Sequence, residues 1–264
     1  MINFDMTNEQ YHTHTNVLSA SGTKTIAFDD LATFKYAERK ESAAFDVGTA
    51  THTLVLQPEL SDTIWMGAAD RRGLAWKKTK LEAEEAGALL LTEGDYLLAH
   101  DMAEAVRANK AAAELLSGDL VCEASVFAKH EPTGIEIRCR PDGWRRDIGA
   151  LIDLKTTITS DPSGFSRQCA QFGYHVQDQH YRMTMEAAGF EIDRFVFIAV
   201  QKSKSHRVGV FELDHESLVE GRAACQYAFE KFARAQATDE WGYNFGDLQT
   251  IQIPRYSFQF SQIG

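Results

Sequence analysis

Residues 149–157, Gly-Ala-Leu-Ile-Asp-Leu-Lys-Thr-Thr, constrain the fold more than any other stretch of the chain. A short apolar run of this kind reads as a buried strand, yet it carries Asp153 and Lys155. Strand side chains alternate, so Asp153 and Lys155 project to one face while Ile152 and Leu154 project to the other. A charged pair in an apolar strand is costly unless a partner or a function holds it there. The strand therefore calls for a sheet with a greasy face on one side and a polar site on the other.

Arg140-Pro141-Asp142 comes shortly before, with Asp142 11 residues ahead of Asp153, a separation that lets a hairpin return one carboxylate beside the other. Two carboxylates and an ammonium then converge at one sheet edge. Hard divalent cations such as Mg²⁺ take oxygen ligands, which the carboxylates supply. The lysine can orient or activate a water and offset charge developing on a phosphate. Surface carboxylate–lysine pairs are common, so the weight lies in the apolar context. On the next predicted helix Gln177 and Tyr181 are four apart and share a face. Read alone they are a surface glutamine and a core tyrosine; read with the carboxylates they reach over the sheet edge to a phosphate backbone or to Lys155. His52, within Gly-Thr-Ala-Thr-His-Thr-Leu, stands in a largely apolar helix, where a lone histidine is ordinarily a core residue.

The pattern along the chain predicts an α/β fold, with a mixed central sheet flanked by helices. A helix from about Gly22 to Arg39, capped by Ser21, precedes one from about Phe45 to Leu56 that Pro58 stops. A basic stretch follows, with Arg71, Arg72, Lys77, Lys78 and Lys80. Thr92 and Asp95 resemble a capping box that opens a helix to about Leu116. Alternating strands are expected over 122–129 and 135–140, followed by a turn and a strand over 144–157. A long helix from Ser163 to Ala188, strands at 195–201 and 207–213, and a helix from His215 to Ala235 complete the order. An irregular tail holds Trp241, Tyr243, Pro254 and Tyr256.

Charge narrows the classes. The chain of 264 residues has 27 Lys+Arg against 38 Asp+Glu, a net −11. That is the wrong sign for a protein coating nucleic acid with its whole surface, or for one drawn to anionic membranes. It leaves room for an enclosed, locally basic groove. Cys122, Cys139, Cys169 and Cys225 are separated by 17, 30 and 56 residues, so no CxxC pair exists and buried free thiols are expected. Neither a signal peptide nor a membrane span is predicted, which points to the cytoplasm. A phosphate-binding GxxxxGK[ST] loop, a GxGxxG after a strand and a GxSxG elbow are all missing.

The ordered set Gly48-Thr49-Ala50-Thr51-His52, Glu123, Arg140-Pro141-Asp142, Asp153-Leu154-Lys155 and Gln177-xxx-Tyr181 resembles the PD-(D/E)xK nuclease superfamily. Within it the chain is similar to the RecE-type exonuclease VIII group of phages and prophages, from Leu18-Ser19-Ala20-Ser21 to Trp241-Gly242-Tyr243 and Ile253-Pro254. The resemblance implies a restriction-endonuclease-like core in one domain over 19–255, with an N-terminal extension at 1–18, a helical insertion near 60–117 and a tail at 256–264. It implies His52, Asp142, Asp153 and the Leu154 carbonyl as metal ligands and Lys155 as the catalytic lysine. Gln177 and Tyr181 would support the active site and DNA, and Glu123 would be a further acidic residue that binds metal or orients a neighbour. The cofactor would be Mg²⁺, replaceable by Mn²⁺. Such enzymes degrade double-stranded DNA ends 5′→3′, release 5′-mononucleotides, leave a 3′ single strand, assemble as rings (a tetramer favoured here) and work with a RecT-type annealing protein. The chain departs from the group's Ser-Pro step, reading Asp29-Asp30-Leu31-Ala32 instead.

Arg138, Arg140, Arg145 and Arg146 surround the expected site and are its phosphate-binding candidates. Arg71 and Arg72 either line a DNA channel or belong to a solvated insertion. Two readings compete with an exonuclease: a structure-specific endonuclease on the same fold, and a non-catalytic DNA-end-binding protein. A helicase-associated nuclease with an iron–sulfur cluster needs clustered cysteines, which the spacing excludes.

Overall fold

The apolar strand at 150–157 is the axis of the molecule: in the computed structural model, which describes residues 1–4, 6–37, 43–242 and 248–258, it is the middle strand of a five-stranded sheet. From the N-terminus the elements are β1 (Ile2–Asn3), α1 (Asn8–Thr13), β2 (Leu18–Ser19), α2 (Ala20–Phe28), α3 (Leu31–Tyr36) and α4 (Ala43–Leu56). A parallel pair, β3 (Ile64–Met66) and β4 (Leu89–Leu91), brackets α5 (Leu74–Ala86), and α6 (Glu93–Ala108) and α7 (Lys110–Leu115) follow. Then come β5 (Leu120–Cys122), β6 (Ser125–His130), β7 (Ile135–Cys139), β8 (Gly143–Arg145) and β9 (Ala150–Thr157). The chain continues through α8 (Pro162–Phe172), α9 (Tyr174–Ala187), β10 (Arg194–Gln201), β11 (Val208–Phe211) and α10 (His215–Thr238).

The main sheet has the order β11-β10-β9-β8-β5, with β9 and β10 parallel and the other pairs antiparallel. A parallel neighbour requires a crossover, and α8 and α9 supply it. A second sheet has the order β1-β6-β7-β2. Alternation along β9 sorts the core as the sequence requires. Ile152 and Leu154, with Val196, Ile198 and Val200 of β10, pack on Val47, Leu54, Met102 and Val106 of α4 and α6. Leu151, Phe195 and Phe197 face the other way, onto Phe165, Cys169 and Met185 of α8 and α9. A third cluster joins Ile137 to Ile26, Val176 and Phe229, and so binds the second sheet to α2, α9 and α10. All four cysteines are free thiols. No helix among the described residues is long and apolar enough to cross a membrane.

Several expected boundaries shift, each for a local reason. The first helix is two. Ser19, not Ser21, caps α2 by accepting from the Gly22 amide, and Asp30 caps α3 by accepting from Thr33, so adjacent aspartates break the helix; Arg39 lies outside the described residues. Asn109 does the same between α6 and α7. The long helix after β9 breaks at Gly173, whose φ of 64° is the left-handed region that favours glycine. A Cβ there would stand 2.5 Å from Phe28 Cε2 and 3.0 Å from Lys24 Cδ, so the break also lets α2 approach.

Two of the expected segments make contacts with the body of the fold. In the expected extension at 1–18, β1 pairs with β6, and the buried Tyr11 has Arg138 4.6 Å from its ring centroid. In the helical stretch near 60–117, Ala99, Met102, Ala103 and Val106 of α6 belong to the core layer beneath the sheet. In the tail Trp241 stacks on Phe34 and Tyr256 is exposed, while Tyr243 and 259–264 lie outside the described residues.

Candidate active site

β9 carries Asp153 and Lys155 on the face that looks toward α9. Asp153 is buried, and both of its oxygens are engaged: Gln177 Nε2 donates to Oδ1 at 2.5 Å, and Lys155 Nζ lies 2.5 Å from Oδ2. Burial alone would lower the Lys155 pKa, but Asp153 and Asp142 outweigh it and hold the ammonium above its ordinary value. Lys155 is therefore a fixed cation, lying 4.9 Å from the centroid of the Tyr174 ring.

Asp142 stands just before β8. The Leu154 amide donates to Asp142 Oδ2 at 2.7 Å, so the hairpin returns this carboxylate to the strand that bears Asp153. The register pairs Gly143 with Ile152; extended by two residues it sets Leu154 opposite Pro141, which has no N–H to give. In an antiparallel ladder a residue's N–H and C=O point to the same side. Pro141 thus ends the ladder and leaves the Leu154 carbonyl on the Asp142 side.

His52 of α4 places Nδ1 3.5 Å from Asp142 Oδ2. Together with Glu123, the two residues offer ligand atoms within 4.8 Å of one another, the one such group among the described residues. Two carboxylates and an imidazole, partly buried, suit a hard or borderline divalent ion such as Mg²⁺ or Mn²⁺. Glu123 was expected inside a strand running from 122 to 129. Instead it separates β5 from β6 with φ of 55°, an uncommon conformation for a non-glycine residue that turns the carboxylate into the cluster. Burial raises the Glu123 pKa against the opposing pull of Arg140, 2.9 Å away. Burial lifts Asp142 to about 7; His52 opposes that rise and Asp153 adds to it. These carboxylates shed protons to bind a cation, so the increase in Tm produced by Mg²⁺ is expected to be larger at pH 8 than at pH 6. An increase independent of pH, read by scanning fluorimetry, would contradict the assignment.

Tyr181 is tied to the same edge by a different contact: its hydroxyl donates to the Arg140 carbonyl at 3.1 Å and so pins the turn that carries Asp142. Of the expected phosphate-binding arginines, only Arg140 lies at the cluster. Arg145 is buried against Asp147 and the Glu114 and Leu115 carbonyls, and Arg146 pairs with Asp119. Both leave β8 at the end remote from Asp142. Arg138 is buried, donating to the Tyr11 carbonyl. Arg71 bridges Asp46 and Asp95, while Arg72 pairs with Asp70 in solvent. Each of these guanidiniums has a structural partner that sequence spacing did not reveal.

Sequence reasoning missed Lys24 on α2 and Tyr174 at the start of α9. Neither belongs to a motif, and only the break at Gly173 brings them together, with Lys24 Nζ 6.0 Å from the Tyr174 centroid. Burial first, and Lys155 second, bring the Lys24 pKa down to about 8.

A family model described as a PDDEXK-like domain of unknown function (DUF3799) matches residues 26–253. Among solved structures, a Eubacterium rectale protein described as a candidate exonuclease superposes with a TM-score of 0.61 at 15% identity, over 89% of this chain and 88% of its own. A phage-related exonuclease from Haemophilus somnus 129PT gives a TM-score of 0.36 at 12% identity, over 87% of this chain and 99% of its own. No curated protein sequence matches. The first of these structural likenesses bears on the fold alone, a mixed α/β arrangement.

Proposed function

The chain belongs to the PDDEXK-like domain family, and from that premise we propose that it is a divalent-metal-dependent exodeoxyribonuclease acting on the ends of linear duplex DNA. One observation carries the reading. The ligand atoms of His52, Glu123 and Asp142 gather within 4.8 Å, and the neighbouring strand presents the Asp153–Lys155 pair 2.5 Å apart. Folding alone does not require that concentration of charge in an apolar strand.

In this reading His52 and Asp142 hold Mg²⁺, or Mn²⁺ in its place, with Asp153 and the Leu154 carbonyl beside them and Glu123 added to the set. The bound ion supplies Lewis acidity toward the scissile phosphate. Lys155 stands beside these carboxylates, which favour its ammonium form. It donates to the attacking water or to a phosphate oxygen and offsets the charge that grows there. Gln177 fixes Asp153, and Tyr181 fixes the turn of Asp142. Water adds to phosphorus as the bond to the leaving 3′ oxygen breaks, and a 5′-mononucleotide departs. Arg140 contacts the DNA backbone.

The narrower reading is a RecE-type enzyme that works 5′→3′, leaves 3′ single strands for annealing-based recombination, forms a homo-oligomeric ring and cooperates with a RecT-type annealing protein. The order of the His52, Glu123, Asp142, Asp153–Lys155 and Gln177–Tyr181 motifs supports it. With Mg²⁺, a linear duplex labelled at one 5′ or one 3′ end should lose the 5′ label first, and covalently closed circles should remain intact. Cutting of circles would make the protein an endonuclease, and early release of the 3′ label would reverse the polarity.

A further inference from the structure

Lys24 and Lys155 both approach the Tyr174 ring, at 6.0 and 4.9 Å from its centroid, but their surroundings differ. Lys155 has the Asp153 carboxylate 2.5 Å away. Lys24 is partly buried and, among the described residues, has neither a salt bridge nor a hydrogen bond to its ammonium. A cation withdrawn from water beside a like charge is unfavourable until an anion joins it.

The wall next to Lys24 holds a second cation, Arg140, whose Nε pairs with Glu123 at 2.9 Å. Lys24 and Arg140 line a pocket of about 250 Å³ together with Ser19 and Ser21, with Glu123, and with Gln177 and Tyr181 of the active site. Nη1 of Arg140 is buried without a hydrogen-bond partner, while Nη2 donates to the Met6 carbonyl. The pocket is also held in place. Thr23, one residue before Lys24, hydrogen-bonds His180 of α9 at 2.9 Å, and His180 in turn bonds the Arg138 carbonyl at 2.9 Å. Gly173 leaves the space that the Lys24 methylenes occupy.

We propose that Lys24, with Arg140, binds a phosphate group of the substrate strand next to the one being cut. The two lysines then serve two phosphates: Lys155 the scissile one and Lys24 its neighbour. Lys24 sets substrate affinity and register, while Lys155 serves the bond-breaking step. This inference rests on the nuclease reading of the site. The phosphate is either a backbone diester or the monoester at a 5′ end; both have the chemistry the pocket fits.

The test uses the full chain and its Lys24→Met and Lys24→Arg variants. Binding of a fluorescein-labelled 20-base-pair duplex is followed by anisotropy with Ca²⁺, from 50 to 200 mM salt, and KM and kcat are measured with Mg²⁺ on the same duplex. Lys24→Met should bind about tenfold more weakly, with the slope of log K against log salt reduced by about 0.9, the value for one lost phosphate contact. Its KM should rise while kcat changes by less than about threefold, the signature of lost binding as opposed to lost chemistry. Lys24→Arg should recover most of the slope. If Lys24→Met does not fold, Lys24→Gln carries the same expectation. A loss confined to 5′-phosphorylated ends identifies the monoester; a loss shared by 5′-hydroxyl ends identifies the diester. An unchanged slope and KM, or a fall in kcat alone, overturns the assignment. Binding that responds to Lys24 without any cleavage by the wild type overturns the nuclease reading and leaves the phosphate site standing. A wild type that neither binds nor cuts overturns both.

Discussion

Lys155→Met is expected to lower kcat on linear duplex DNA by about 10²–10³-fold, the range for deleting one preorganised electrostatic contact in an active site. Lys155 is held as a cation by Asp153 at 2.5 Å, so its charge is in place before any phosphate arrives. The substitution keeps most of the apolar stem of the side chain and removes the charge with its hydrogen-bond donors. It also leaves the buried Asp153 without a cationic partner, which costs on the order of 3 kcal/mol of folding stability. Urea unfolding should show that loss, and kinetics are therefore compared at a temperature where both proteins are folded. KM is expected to move little. A variant with near-normal kcat, or one whose whole deficit lies in KM, would remove Lys155 from the chemistry.

Asp142→Asn should have an effect of similar size, with a distinct thermodynamic signature. The amide oxygen can still accept from the Leu154 amide, as Asp142 Oδ2 does at 2.7 Å, so the turn keeps its anchor. The negative charge that draws a cation to His52 and Glu123 is gone, and activity should fall by about 10³-fold or more, with the Mg²⁺-dependent rise in Tm abolished. Without divalent ions the sign reverses. In the wild type burial lifts the Asp142 pKa from 3.8 to about 7, so the folded state holds a proton that the unfolded chain gives up. The stability linked to that proton is full below about pH 4 and is lost as the pH rises toward 7. Asn pays no such penalty, so the ion-free variant should melt above the wild type, with a gap that widens from pH 5 to pH 8. A variant that melts below the wild type throughout, or that still responds to Mg²⁺, would place the cation elsewhere.

How much of this was legible beforehand can be traced residue by residue. The alternation in Ala150–Thr157 sorted Asp153 and Lys155 from Ile152 and Leu154, because period-2 geometry follows from the backbone alone. The distance from Asp142 to Asp153 was enough to predict a hairpin return, since only one short turn separates them. Helix ends were read less well. The caps at Ser19, Asp30 and Asn109 win locally over an apolar periodicity that continues through them. The basic residues were read least well. Arg138 and Arg145 are buried against carbonyls from α1 and α7, partners distant in sequence that a spacing argument does not see. Lys24 was missed for the converse reason: its neighbours come from α9 and β9, brought together by the bend at Gly173. Glu123 was read as a strand residue, since nothing in Cys-Glu-Ala-Ser announces a left-handed backbone at a charged side chain.

We propose that this cluster makes a metal-dependent phosphodiesterase for DNA ends. The most direct measurement is the release of acid-soluble nucleotides from a uniformly labelled linear duplex, with wild type and Asp153→Ala purified in parallel. The wild type is expected to release nucleotides steadily with Mg²⁺, none after EDTA, and again when Mg²⁺ or Mn²⁺ is restored, with no release above background by Asp153→Ala. Release that persists in EDTA, or that survives in Asp153→Ala, would contradict it.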